Sequence, residues 1–361
     1  MGLFSDYGED TVFKNEDVLQ TEYLPEKLPH REGQVQAIAN AIKPAISGKS
    51  PYNLFILGSP GVGKTAVVKH VFNQLSEYER VIPIYINCWE YNTRHAVLSK
   101  ILNELGGIAP RRGIATDEVY ERFESQIKKS NQIPIIALDE IDQLLLRDGS
   151  LLLYDLLRCG AKLGLIAISN DPFIGRMLDD RVKSSIAHEE IHFKPYTKAE
   201  VLEIVKDRMR LGFRAGKIEE GVAKAVAEFT DSKGGDIRLA LECLWKCGRT
   251  ADQKGTTAKA EYLNEIFKKA SDTYLTDLLK SLSETEKAIL KVIAASPELS
   301  SGELLAQYGE KNKIAERTMR NYVSRLETLK LIDAPMTSKG YRGKSRIISL
   351  RIPKDLVLEL P

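Results

Sequence analysis

The sequence predicts an α/β protein: a three-layer parallel sheet built around a phosphate-binding loop, an all-helical lid, and a C-terminal winged helix-turn-helix domain. Three observations predict it. A glycine-rich loop in "NLFILGSPGVGKTAVVKHVF" joins a short apolar run to a helical pattern. Short β-branched runs then alternate with amphipathic segments as far as residue 196, the arrangement that places helices on both faces of a parallel sheet. Beyond that point strand signals fade into successive helices, and the chain closes on a basic, Gly- and Lys-rich hairpin.

The elements follow in order. Seven acids against one lysine in the first 26 residues, with turns at Pro25 and Pro29, suggest that residues 1–28 are a weakly ordered acidic lead-in. "REGQVQAIANAIKPAIS" has helical spacing, and residues 65–75 are a helix after the loop. "VIPIYINC" is a strand, and "RHAVLSKILNELGG" is a helix stopped by Gly106 and Gly107. "IAPRRGIA" is a loop, and "TDEVYERFESQIKKS" is a helix with Thr116 as N-cap. "IPIIALDE" is a buried strand, "LLLYDLLRCGAK" a helix and "LGLIAISN" another strand. The predicted domains are 1–196, the α/β nucleotide-binding part; 197–278, the helical lid; and 279–361, the winged helix.

At 361 residues the chain exceeds one ordinary core, while 43% hydrophobic and 28% charged residues fit a globular protein. No apolar run approaches the roughly 20 residues of a membrane span, and the amino terminus does not read as a signal peptide. The expected setting is cytoplasmic. Cys243 and Cys247 lie one helical turn apart with no further Cys or His pair near them, so buried reduced thiols are expected rather than a metal site.

The glycine-rich loop matches G-x-x-x-x-G-K-[ST] through Gly58, Ser59, Pro60, Gly61, Val62, Gly63, Lys64 and Thr65, and Ala66 beside it completes the candidate nucleotide-binding set. Glycines let backbone N–H groups curl around phosphate oxygens, and the following helix points its positive end at them. Lys64 reaches the outer phosphates, and Thr65 offers a hydroxyl to Mg²⁺. ATP or ADP with Mg²⁺ is the expected ligand. Asp139, ending the strand "IIALD", is placed to hold the metal through water, and Glu140 is the candidate general base. Asn170 ends the next strand and could orient the attacking water; Arg238 lies one turn into a lid helix; Arg181, in "DDRVKSS", could serve a neighbouring subunit.

These features, in this order, resemble the AAA+ ATPases. "LPHREGQ", "SNDPF", "LDDRVKSS", "IHFKPYTKAEVLEIVKDR", "GGDIRLALE" and the terminal module resemble, within them, the archaeal origin-recognition and cell-division-control initiator ATPases. The resemblance runs from about His30 to the end of the chain. It implies that Asn170 is sensor 1, Arg238 sensor 2 and Arg181 the arginine-finger region. It implies double-stranded origin DNA as a partner, together with other initiator subunits and the replicative helicase, and a nucleoid-associated protein. It also implies a DNA-touching insertion in the ATPase domain, for which residues 94–115, with Arg111 and Arg112, are the candidate.

The terminal module has its own physics. From Arg317 to Arg351 nine Lys or Arg face two acids, a local balance of +7 that favours phosphate binding over a plain solvated face. In "AERTMRNYVSRLETLKLI", Met319, Val323, Leu326 and Leu329 form the core stripe. Arg317, Thr318, Arg320, Asn321, Ser324 and Arg325 are left to read DNA. Lys339, Tyr341, Arg342, Lys344 and Arg346 form the wing. The expected function is an ATP-switched initiator with slow hydrolysis. The rivals are a winged-helix signalling ATPase that regulates transcription, which would need a sensor domain, and a P-loop small-molecule kinase, which would lack Glu140 and the DNA module.

Overall fold

The computed structural model describes residues 11–108, 115–171, 174–186, 188–296, 298–312, 314–336, 346–358 and 360. The chain divides into two compact units, one ending at Leu263 and one beginning at Asn264.

The first unit is built on five parallel strands: β1 (Asn53–Gly58), β2 (Val81–Asn87), β3 (Ile133–Asp139), β4 (Gly164–Ser169) and β5 (His188–Phe193), in the order β2-β3-β4-β1-β5. The period of two sorts their side chains. Leu54, Ile56, Ile135, Ala137, Ile166 and Ile168 face a core shared with α1 (Glu32–Ile46) and α2 (Lys64–Leu75). Their neighbours Phe55, Leu57, Ile136, Leu138, Leu165 and Ala167 face the opposite core. That second core is covered by α3 (Arg94–Glu104), α4 (Thr116–Lys129), α5 (Ile141–Asp148) and α6 (Leu151–Arg158). Burial on both faces explains why β3 reads as an unbroken apolar run rather than an alternating one. It also makes the three central strands rigid supports, at about 1.5–3 kcal/mol for each fully buried aliphatic side chain.

The chain leaves β1 across β4 and β3 to reach the edge at β2, then winds back, and finally crosses β1 to β5. The strand order therefore reverses beside β1, and the carboxyl ends of β1, β3 and β4 open onto one crevice, where such sheets bind ligands.

After β5 come the helices α8 (Lys198–Gly212), α9 (Glu220–Ser232) and α10 (Ile237–Lys254), preceded by the short α7 (Asp180–Ser185) between β4 and β5. Thr197 and Glu200 cap α8 reciprocally, fixing where the sheet ends and the helices begin.

The expected weakly ordered lead-in is corrected for residues 11–19; residues 1–10 lie outside the described part. Val12, Phe13, Val18 and Leu19 are buried, and Lys14 N–H donates to Gly212 O at 2.7 Å. Thr11 Oγ1 and Val12 N–H both donate to Asp252, and the Trp245 indole N–H donates to Glu16. The segment is a strap across α8 and α10. Gly248 on α10 is required there, since a Cβ would stand 2.3 Å from the Phe13 ring. Charge pattern misled because one of its acids, Glu16, is a partner to α10 and the four apolar side chains do the packing.

The second unit contains α11 (Leu263–Ser281), which begins at the division, then α12 (Glu284–Ala295), β6 (Leu299–Ser300), α13 (Ser301–Leu304), α14 (Glu316–Thr328), β7 (Ile332–Asp333), β8 (Ile347–Leu350) and α15 (Lys354–Leu358). The strands form a small antiparallel sheet in the order β6-β8-β7. Met319, Val323 and Leu326 bury the inner face of α14 against Ile289, Leu290, Ile293 and Ile348, as the stripe predicts. All four cysteines are buried and free.

Candidate nucleotide site and winged-helix surface

The P-loop leaves β1 at Gly58, where a Cβ would lie 2.6 Å from Phe193 O, and turns through left-handed Gly61 and Gly63, at φ 73° and 90°. Gly63 is the N-cap of α2 and supplies no side-chain acceptor, so the first N–H groups of the helix remain turned toward the loop as an anion site. Lys64, only 7% exposed, donates to Gly58 O at 2.7 Å, Ser59 O at 2.9 Å and Asn170 Oδ1 at 2.8 Å. Burial pushes its ammonium down to about 8; Asp139 opposes that fall and Arg238 adds to it. Ser59 and Pro60 are exposed at the loop tip, Val62 is buried beneath it, and Ala66 is half-buried in the first turn of α2.

Asp139 ends β3 and is 4% exposed. Its Oδ2 accepts from Thr65 Oγ1 at 2.6 Å and from the Tyr85 hydroxyl at 2.7 Å, and its Oδ1 accepts from Glu140 N–H at 3.0 Å. Glu140 adopts φ 54°, a left-handed conformation rare for a side chain with a Cβ. Its Oε2 is buried with no hydrogen-bond partner among the described residues. Burial, then Asp139 and Asp142, raise its pKa above the ordinary carboxylate value. A strained, desolvated carboxylate with an open oxygen, beside a hydroxyl–carboxylate pair and a buried ammonium, can accept a proton from a molecule in the crevice.

The helical segment reaches the same loop. Asp236 caps α10, and its carboxylate lies over Gly61, where an added Cβ would meet it at 1.7 Å. Ile237 N–H donates to Gly61 O at 3.2 Å. Arg238, half-exposed, is forked onto Asp236 through Nε at 3.2 Å and NH2 at 2.9 Å. The structure thus brings Gly58, Lys64, Thr65, Asp139, Glu140, Asn170 and Arg238 into one crevice. Arg181 sits on α7, exposed, and is not among the charges that act on Lys64 or Glu140.

In the second unit Arg317, Thr318, Arg320, Asn321, Ser324 and Arg325 are all exposed on α14. Three of the expected DNA-facing cations are ion-paired. Arg320 holds Glu316, Arg346 holds Glu327 at 2.8 Å, and Arg325 Nε lies 3.1 Å from Glu286 Oε1. Glu286 is 1% exposed, and that oxygen gains charge compensation from Arg325 without a hydrogen-bond alignment. Lys339, Tyr341, Arg342 and Lys344 lie outside the described residues, as do Arg111 and Arg112.

The AAA domain family matches residues 47–170, and the Cdc6 AAA+ ATPase-type lid domain matches residues 202–261. The ORC1-type DNA replication protein 2 of Methanosarcina mazei is 34% identical over 359 residues, covering 97% of this chain and 96% of that one. The chain belongs to the ORC1-type DNA replication proteins. The ORC1-type protein of Pyrococcus abyssi is 33% identical, over 94% of this chain and 88% of its own. Among solved structures, the Aeropyrum pernix ORC1 protein in complex with DNA is similar at TM-score 0.67 and 29% identity, covering 98% and 97% of the two chains. The Aeropyrum pernix ORC2 protein, in ADPNP–ADP complexes, shares the fold at TM-score 0.73.

This ORC1-type chain is therefore an AAA+ ATPase that binds nucleotide, and its sequence left three contributors to the crevice unread. Arg31, 4% exposed, donates to Val62 O and Lys194 O, both at 2.9 Å, and stacks 3.7 Å over Tyr196. It ties the P-loop to the end of β5. Asp236 and Tyr85 are the other two. "LPHREGQ" and "GGDIRLALE" did mark the neighbourhoods of Arg31 and Asp236, but only as strings of resemblance.

Proposed function

We propose that the chain is an ATP-controlled replication initiator that binds double-stranded origin DNA through its winged helix, with ATP and ADP as a conformational switch and slow hydrolysis. One observation carries the reading. The lid residues Asp236 and Ile237 rest on the very loop whose carbonyls hold the Lys64 ammonium, and Asp236 in turn holds Arg238. Phosphate arriving at that loop displaces both contacts, so nucleotide state and lid position are one equilibrium.

In this reading Lys64 gives up Gly58 and Ser59 for phosphate oxygens, regaining the charge stabilisation that burial has cost it. Asn170, released from Lys64, turns to the attacking water. Glu140 takes the proton through its open Oε2. Arg238 leaves Asp236 for the outer phosphate. Thr65 and Asp139, two hard oxygen donors 2.6 Å apart at the loop's edge, fit Mg²⁺, which keeps several waters and takes few protein ligands. When bound, it neutralises phosphate charge. Arg181 acts on a neighbouring subunit's nucleotide. The domain divisions 1–196, 197–278 and 279–361 remain part of this proposal as functional parts, although the compact second unit begins earlier, at Asn264. So do other initiator subunits and the replicative helicase as partners, and a cytoplasmic, nucleoid-associated setting. The exposed face of α14, Arg317 foremost, supports the DNA contact.

The test is filter binding of the full chain to chromosomal fragments with ATP, with ADP and with neither. Selective, nucleotide-dependent retention is expected. Lys64→Ala should lose nucleotide binding, and Glu140→Gln should keep binding while hydrolysis stops. No retention of any fragment at low salt overturns the reading.

A further inference from the structure

Asp139 meets three donors, and the nucleotide reading gives work to only two of their residues. Thr65 lies in the first turn of α2, behind the phosphate loop, and the Glu140 N–H is the carboxylate's own chain neighbour. The third donor, the Tyr85 hydroxyl, comes from elsewhere. Tyr85 stands on edge strand β2, two residues before Asn87, which is paired with Asp139. Its ring packs into the core shared with α2, and the Lys69 ammonium lies 4.6 Å over its face. Packing accounts for a ring in that place but not for a hydroxyl, since phenylalanine fills the same space.

We propose that Tyr85 is a positioning residue for the divalent cation of the nucleotide site, its phenol holding Asp139 Oδ2 in place when the Thr65 hydroxyl engages the cation. The inference rests on the Thr65–Asp139 reading above. A carboxylate that serves a metal through water needs a fixed rotamer, and outer hydrogen-bond partners supply it. Here the Thr65 bond is given up when that hydroxyl engages the cation. The Tyr85 bond is not, because Tyr85 is anchored in the β2–β3 register. A merely structural Tyr85 would satisfy its own hydroxyl and leave cation binding alone.

The experiment compares the full chain with Tyr85→Phe, using a fluorescent ADP analogue with Mg²⁺ titrated and, separately, in EDTA. The expected result is unchanged affinity in EDTA, with half-saturating Mg²⁺ raised about tenfold, the lower end of what outer partners contribute. Mn²⁺ binding to the ADP complex, read by electron paramagnetic resonance, should weaken in parallel. An unchanged Mg²⁺ requirement overturns the proposal. An equal loss with and without Mg²⁺ also overturns it, assigning Tyr85 to packing alone. A wild-type chain that binds ADP identically with and without Mg²⁺ removes the Thr65–Asp139 cation reading, and Tyr85 with it. A Mg²⁺-dependent wild type beside an indifferent Tyr85→Phe removes Tyr85 only.

Discussion

Lys64 donates to two loop carbonyls and to Asn170, three neutral acceptors that do not balance its charge, and burial holds its pKa near 8. Phosphates supply the missing charge and raise that pKa again. Nucleotide binding should therefore take up a proton wherever Lys64 is partly neutral beforehand. Calorimetry of ADP binding in two buffers of different ionisation enthalpy, at about pH 6.5 and about pH 9, should show almost no uptake at the first and close to one proton at the second. Affinity should fall as pH rises above about 8, by up to tenfold per unit. Buffer-independent heat at the higher pH removes the depressed lysine. The sign for stability is the opposite: between about 8 and 10.5 the unfolded chain binds the extra proton, so the fold gains stability as pH rises through that window. At this scale Lys64, Thr65, Asp139 and Glu140 were legible because contiguous spacing encodes them. Arg31 was not, since its acceptors Val62 and Lys194 are 31 and 163 residues away. Tyr85, 54 residues from Asp139, looked like any strand aromatic.

At the level of the element, α14 shows how much a helix pattern settles. Met319, Val323 and Leu326 turned inward as their spacing requires, and the polar residues turned outward. What periodicity could not tell is which outward cations have partners within the fold. Arg325 was expected to read bases, yet it stands against Glu286, which belongs to the capping box of α12 and is almost wholly buried. Arg317 and Arg325 should therefore separate. Arg317→Ala should weaken DNA binding and leave the unfolding midpoint unchanged. Arg325→Ala should destabilise the winged-helix unit by about 1–2 kcal/mol, less than for a fully buried pair because the arginine is half-exposed. Adding Glu286→Gln to Arg325→Ala should recover most of that loss, because the uncompensated charge is gone. Additive losses in the double variant contradict the pairing. The strap at residues 11–19 teaches the same lesson from the other side. Its acids suggested solvent, but Glu16 meets the Trp245 indole and Phe13 fills the space above Gly248.

For the whole molecule, the alternation of strands and helices was legible because the three central strands are buried on both faces, and the module at the end because its basic charge stands apart. The division between units was harder to read, because α11 is one continuous helix of good periodicity and carries no break at residue 279. Its last turns, and Leu282 just after them, belong to the second unit's core: Leu279 and Leu282 are buried there, and Leu275 and Leu278 pack against it. A fragment of residues 264–361 keeps that helix whole. One of residues 279–361 keeps Leu279 and Leu282 but leaves them on a helical stub too short to hold its shape. Residues 264–361 should unfold cooperatively, and residues 279–361 should melt lower by several degrees, in line with about 2–3 kcal/mol of lost apolar burial. Both should bind duplex DNA at low salt. The plot of log K against log salt should fall well short of the slope of roughly −8 that nine phosphate contacts would give, because Arg320, Arg325 and Arg346 already hold carboxylates. Equal melting of the two fragments would return the boundary to residue 279, and a slope near −8 would show that DNA pulls those three arginines from their partners.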